Sequence, residues 1–313
     1  MPDSRTRNLA LPALLVANMA LACGPWLVRL ARAQGEVGPV AAGFWRLVLA
    51  LPIFLIVTGA TERPKVAIRP IVFVLLGGVA FAADLAMWHV GILHTRLANA
   101  TLLGNITALL FPLYGFWMAR SWPHAKQWTA MALASVGTVL LLGRSYTLSA
   151  DHLLGDMACI GAGLCYTGYL IAIDRSRGGL GPFATLTICG IAGTPLLLAT
   201  AWGLGEPIWP HDWTALVLLT LGSQLIGQGL LIYGVTRAPP LIVGLMLLSQ
   251  PIVASAIGWL VYGERLGVAD AVGALGIAAA VLLVRDTRKR EPLPAFEAGL
   301  SSAGCPTRCS PST

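Results

Sequence analysis

Ten hydrophobic runs, each long enough to cross a bilayer, follow one another from Leu9 to Val284 with only short polar links between them. They cover approximately residues 9–30, 39–59, 70–93, 96–118, 126–143, 154–174, 182–203, 213–235, 239–262 and 267–284. A helix needs about 20 mainly apolar residues to span roughly 30 Å of hydrocarbon, and in lipid its backbone groups must be satisfied internally. The pattern predicts an all-α integral membrane protein with ten transmembrane helices. Almost no chain is left over for a soluble catalytic domain.

Composition agrees. Hydrophobic residues make up 56% of the chain and charged residues 11%, with 35 glycines and 20 prolines, both commoner in transmembrane helices than in soluble ones. The distribution of the net charge of +7 makes it a topology signal rather than a nucleic-acid patch. With a cytoplasmic N-terminus, fourteen basic residues near a span face the cytoplasm: Arg5, Arg7, Arg63, Lys65, Arg69, Arg120, Lys126, Arg175, Arg177, Arg237, Arg285, Arg288, Lys289 and Arg290. Five face the other side: Arg29, Arg32, Arg96, Arg144 and Arg265. The positive-inside rule then places both termini in the cytoplasm, and the expected location is the cell inner (plasma) membrane.

The first run has full spanning length and no small-residue cleavage site, so it reads as a retained helix. Cys23, Cys159, Cys165 and Cys189 fall within spans, where they behave as small apolar residues. Cys305 and Cys309 lie in a tail, 285–313, expected to be cytoplasmic and disordered. In a reducing compartment they predict no disulfide, and their spacing makes a poor metal site.

Ten spans divide into five and five, and an odd number per half makes the second half enter the membrane from the opposite side. Inverted repeats of this kind are typical of secondary transporters, whose substrate site lies near the midplane between repeats. Shifting the chain by 143 residues places Gly91 on Gly234, Leu102 on Leu245, Gly115 on Gly258 and Leu140 on Leu283, and matches the frame of span lengths. The expected organisation is a short N-terminus, 1–8; a first five-helix repeat, 9–143; a connecting loop, 144–153; a second repeat, 154–284; and the tail.

Trp88-His89, followed by the run Leu97-Ala98-Asn99-Ala100-Thr101-Leu102-Leu103-Gly104-Asn105, resembles the third and fourth helices of an EamA domain, of the drug/metabolite transporter superfamily. Ser249-Gln250-Pro251, followed by Gly263-Glu264-Arg265, resembles the closing helices of the same domain. The resemblance covers about 11–143 and 154–284. It implies ten helices, cytoplasmic termini and export of small metabolites or drugs. The first half departs from the pattern, with Ala108 where the second has Pro251 and Ser121 where it has Glu264.

Asp84 is the sharpest single residue. It lies near the middle of its span, where a carboxylate costs at least about 2.5–3.5 kcal/mol and usually faces the bundle interior or a wet cavity. Substrate contact, proton coupling and a hydrogen-bonded structural role are the readings open to it. Asn105 should sit at the same depth across the helix hairpin, and Trp88 lies one turn from Asp84 on the same face. Asn99 and Asn105 read equally well as ligand contacts or as interhelical glue. His89 is a candidate proton relay, although its offset of five turns it away from Asp84. Arg46 is expected to snorkel to the outer interface beside Trp45, anchoring being favoured over anion binding. In the second half Gln224, Gln228, Ser249 and Gln250 form a polar set suited to a polar, zwitterionic or drug-like solute, and Tyr166 and Tyr169 supply an aromatic wall. Glu264 and Arg265 read as a structural turn pair, and Ala254 and Gly258 as a site of close helix approach.

The sequence therefore predicts a secondary transporter exporting small organic metabolites or drugs by rocking of one half against the other. Proton exchange is the expected driving force, since no nucleotide-binding P-loop occurs. No cofactor is called for. The expected partners are a small-molecule solute and membrane lipids, not nucleic acid, and a homodimer is left open. The rival is an integral-membrane enzyme acting on lipid or prenyl chains. It is disfavoured because the acids stand singly rather than in paired clusters, and a channel is disfavoured by the absence of a filter-like repeat.

Overall fold

The computed structural model describes residues 4–62, 68–95, 97–143, 150–177, 179–262 and 267–287. Helices account for almost all of them, and no strand occurs among the described residues. In chain order they are α1 (Ser4–Ala22), α2 (Gly24–Gly35), α3 (Pro39–Thr61), α4 (Ile68–His94), α5 (Leu97–Gly104), α6 (Thr107–Ala119), α7 (Ala125–Gly143), α8 (Leu153–Arg175), α9 (Pro182–Gly203), α10 (Thr214–Leu219), α11 (Gly229–Val235), α12 (Pro240–Leu247), α13 (Gln250–Tyr262) and α14 (Val268–Thr287). A π-helical segment, Thr220–Gln228, joins α10 to α11 without a break.

Among the described residues, eight segments are long and apolar enough to cross a membrane: Leu9–Gln34, Pro39–Thr61, Ile68–His94, Asn99–Ala119, Leu153–Arg175, Pro182–Gly203, Thr214–Val235 and Pro240–Val261. The other two expected spans coincide with α7 and α14. Val268–Leu283 of α14 is apolar but shorter, and α7 opens on Ala-Lys-Gln-Trp and carries Ser135 and Thr138 along its length. These two helices pack chiefly on each other. Gly137 and Gly273 lie against each other's backbone carbonyls, leaving no room for a Cβ at either.

Exposed tryptophans mark both ends of the bundle. Trp117, Trp122 and Trp128 lie where α6 ends and α7 begins, and Trp202, Trp209, Trp213 and Trp259 lie at the end of α9, the approach to α10 and the end of α13. An indole with an apolar body and one N–H donor suits the headgroup level.

The two halves of the chain interleave rather than standing side by side. The most extensive interfaces pair α4 with α8 and α9, α3 with α9, α6 with α12, and α7 with α14, while α1 runs along the π segment and α11. Each of these joins a helix of the first half to one of the second. A picture of two separate five-helix bundles rocking on each other does not describe this packing.

Helices α3 and α9 are built alike. Each starts on Gly-Pro, at Gly38-Pro39 and Gly181-Pro182, with proline at the first turn where its missing N–H costs nothing. Each carries a second proline further on, Pro52 and Pro195. Glu206, in the loop after α9, accepts the Ala41 N–H at the start of α3 at 2.9 Å. Glu62, directly after α3, accepts the N–H groups of Phe183 and Ala184 at the start of α9 at 3.1 and 2.8 Å. A carboxylate at a helix N-terminus satisfies orphan donors and complements the helix dipole.

Candidate functional site

Among the described residues, three helical segments are interrupted and a fourth is widened at one level. The turn at Cys23 separates α1 from α2; Asn105 and Ile106 separate α5 from α6; Leu248 and Ser249 separate α12 from α13; and the π segment widens the helix between α10 and α11. Irregular backbone at membrane depth is tolerated where it is buried in protein or lines a cavity. These interruptions surround a cavity of about 100 Å³, room for several waters. Its walls come from Leu21, Ala22, Gly24 and Pro25 of the first broken span, Phe81, Asp84, Leu85 and Trp88 of α4, Thr101, Gly104, Asn105 and Thr107 at the second break, and Leu247, Gln250 and Ala254 at the last. Arg46, Tyr166, Ser223 and Gln228 complete it.

The Asp84 carboxylate opens onto this cavity and makes no hydrogen bond among the described residues. The charged side chain that acts on it is Arg46. Contrary to the anchoring expected from sequence, Arg46 is 3% exposed and lies inside the bundle. Its Nε donates to Gln224 Oε1 at 2.9 Å, and its guanidinium sits 5.8 Å from the Phe81 ring centroid. The reason is helical phase. Trp45 takes the interfacial role: its indole donates to the Ile208 carbonyl at 2.6 Å and its ring meets Trp209 and Trp213. One residue further round, Arg46 is turned inward.

Of the residues singled out from sequence, Asp84, Trp88, Asn105, Tyr166, Gln228 and Gln250 come together on the cavity. Gln228 Nε2 reaches the Tyr166 hydroxyl at 3.5 Å while its buried Oε1 has no partner. Asn105 donates to the Thr101 carbonyl at 2.7 Å, and Gln250 donates to Asn18 Oδ1 at 2.7 Å. Gln224 stands behind the wall, holding Arg46.

Others lie elsewhere. Asn99 is fully buried and donates to both oxygens of Asp156 at 3.2 and 3.4 Å, and Thr95 donates to the same carboxylate at 2.6 Å. Tyr169 is fully buried, stacked on Phe81 at 4.7 Å, with its hydroxyl unpartnered. Ser249 bonds back to the Met246 carbonyl. His89 donates from Nδ1 to the Pro39 carbonyl at 2.7 Å, its Nε2 being buried and unpartnered, and it does not border the cavity. Glu264, Arg265 and the tail cysteines lie outside the described residues, as do the side chains of Arg5, Arg7, Arg63, Lys65, Arg96, Arg144, Arg285, Arg288, Lys289 and Arg290.

Close packing shuts the cavity off on one side. Beyond the breaks, α6 and α12 are in close contact: Gly244 lies against Pro112 and the Ala108 carbonyl, and Gly115 against Pro240. At the same end, Tyr114 donates to Asp174 at 3.1 Å, Arg177 pairs with Asp174 at 2.6 Å and also donates to the Ala238 carbonyl at 2.9 Å. On the other side of the breaks the larger interfaces of α5 are with α8 and α7, and those of α13 are with α1 and α7. The end of the bundle on that side carries a second hollow of about 530 Å³ between Arg32, Glu36, Pro39, His94 and Glu206. Burial there pushes the Glu206 carboxyl above its ordinary value, against the opposing pull of the Ala41 and Val40 N–H groups and Arg32.

Residues 153–285 match the EamA-like transporter family. This chain carries an EamA domain. Among curated proteins it is 23% identical over 247 residues to the uncharacterized transporter YwfM of Bacillus subtilis (strain 168), covering 78% of this chain and 83% of that one. It is 26% identical over 168 residues to the threonine/homoserine exporter RhtA of Salmonella typhimurium (strain SL1344), covering 53% of this chain and 56% of the exporter. A solved crystal structure superposes with a TM-score of 0.73 at 18% identity, covering 91% of this chain and all of that one, a likeness of fold. The EamA-like domain, the transporter relatives and the apolar helices support a multi-pass membrane transporter.

Proposed function

We propose that this EamA protein is a secondary transporter that exports small organic solutes by alternating access, coupled to protons through Asp84. The observation that carries this reading is a carboxylate with no hydrogen-bond partner among the described residues, opening on a cavity at the level of the helix breaks. Such a group is expensive in a membrane unless it is used. Substrate and ion sites of secondary transporters characteristically lie at such discontinuous helices.

The one-sided seal supports alternating access. Pro39 and Pro182 are 143 residues apart, and the same shift carries α6 onto α13 and α12 onto α5. The close contact between α6 and α12 thus has a counterpart pair, α5 and α13, whose interface is not among the larger ones in this conformation. Exchanging one contact for the other would carry the opening from one face to the other. The matching starts and reciprocal caps of α3 and α9 favour inverted repeats, with α7 and α14 as the fifth and tenth spans. The excess of basic residues favours cytoplasmic termini in the inner membrane. In that orientation the sealed end is cytoplasmic, and the similarity to the threonine/homoserine exporter RhtA favours export.

The test is transport by the full chain in everted membrane vesicles, with an imposed acid interior and a panel of amino acids, amines, organic acids and sugars. Solute accumulation that needs the gradient and the protein is expected. Accumulation only in right-side-out vesicles would overturn export, and accumulation indifferent to the gradient would overturn proton coupling.

A further inference from the structure

We infer that Asp174 is the hub of a latch that holds the α6–α12 end of the protein shut at rest, and that the opposite end has no equivalent. This rests on the alternating-access reading above and names the residues that set its resting state.

Three elements meet at Asp174, near the end of α8. Its carboxylate accepts the Tyr114 hydroxyl of α6 at 3.1 Å and pairs with Arg177 at 2.6 Å. Arg177, just after α8, also donates to the Ala238 carbonyl ahead of α12 at 2.9 Å. Arg175 donates from Nε to the same Tyr114 hydroxyl at 3.1 Å. An isolated ion pair on an exposed surface adds little. Here the Asp174 side chain is only 18% exposed, and the bonds join elements about sixty residues apart. Charge-assisted bonds of this kind are the stronger ones.

The latch clamps the pair that has to part, because α6 and α12 close this end by direct contact. The same elements also wall the cavity. Thr107, Tyr166 and Leu247 border it, and Tyr114, Asp174 and Pro240 lie seven or eight residues from them along α6, α8 and α12. That is about 10–12 Å of helix. A shift of these helices around a solute is therefore delivered straight to the latch.

Under the 143-residue shift, Tyr114, Asp174 and Arg177 fall on Ile257, Ala31 and Gln34. Ile257 and Ala31 offer no polar side chain, so the hub cannot be rebuilt at the other end. That end has the hollow of about 530 Å³ instead, bordered by Arg32 and His94, which the shift carries onto Arg175 and Arg237. Two states whose closures differ by such a network are unequally populated. The latched state is the resting one.

The experiment reads which face admits a water-soluble reagent. Ala254→Cys, on the cavity wall, is placed in the full chain with its native cysteines replaced. Labelling by a membrane-impermeant maleimide is compared in right-side-out and everted vesicles, without solute. Labelling is expected from one face, the face away from the latch. Asp174→Ala should raise labelling from the latch face on the order of tenfold or more, Tyr114→Phe should raise it less, and Asp174→Glu should restore the one-sided pattern. A carboxylate that only stabilises the fold would lower the melting temperature and leave the labelling pattern as it was, which overturns the latch. Should Asp174→Ala fail to fold, Arg177→Gln and Tyr114→Phe each remove one arm and carry the same test. One-sided labelling unmoved by every folded variant overturns the latch alone. Labelling from both faces before Asp174 is touched overturns the one-sided closure, and the alternating-access reading with it.

Discussion

Glu62 and Glu206 perform the same task at opposite ends of the bundle: each leaves one helix of the α3–α9 pair and caps the start of the other. The two caps tie the halves together outside the cavity, so they set the frame in which the broken helices move. Removing either carboxylate, as in Glu62→Ala, is expected to cost about 0.5–2 kcal/mol of stability. Thermal melting in detergent should show the loss, and an unchanged melting temperature would contradict the capping role.

Glu206 adds a pH dependence. Its folded-state value is raised by burial above the ordinary 4.5, so the fold favours the protonated carboxyl. That contribution is fully present below the ordinary value and is lost as pH rises through the raised one. The melting temperature of the wild type relative to Glu206→Gln should therefore be highest at the acid end and decline toward neutrality. A relative stability that climbs with pH over that range would contradict it.

Asn99 separates packing from transport. Its side chain is spent on Asp156, and a hydrogen bond to a charged group is worth about 1.5–3 kcal/mol. Asn99→Ala should lower the melting temperature and leave the KM of transported solute unchanged. A raised KM with normal stability would place Asn99 at the solute.

The positions of eight spans and the place of Asp84 on the cavity were legible because both rest on local signals, apolar length and a lone acid at mid-span. The phase of Arg46 was not. A basic residue seven positions from a helix start is within snorkelling reach, and only the partners of Trp45 show which neighbour takes the interface. Asp156 escaped because it lies near the start of α8, where an acid draws no notice. Its partners Thr95 and Asn99 are about sixty residues away. Asn18, which receives Gln250, did leave a signal, a lone amide within the first apolar run. The interleaving of the halves is a long-range property that span counting does not reach.

The slighter pairing of α5 and α13, compared with that of α6 and α12, supplies a direct conformational test. Shifted by 143 residues, Pro112 and Gly244, which touch in α6 and α12, correspond to Ser255 and Thr101. Cysteines at Thr101 and Ser255, in a background without native cysteines, should cross-link during turnover and arrest transport. A pair that never cross-links under any transport condition would rule out this symmetric exchange.

The central claim is that Asp84 is a working carboxylate, and the pH profile of transport by Asp84→Asn in proteoliposomes tests it most directly. The substitution keeps the shape and removes the titration. The account predicts well-folded protein whose residual transport is a small fraction of wild type and no longer varies with pH. A variant that transports at the wild-type rate with the wild-type pH profile would show the carboxylate to be structural and contradict the account.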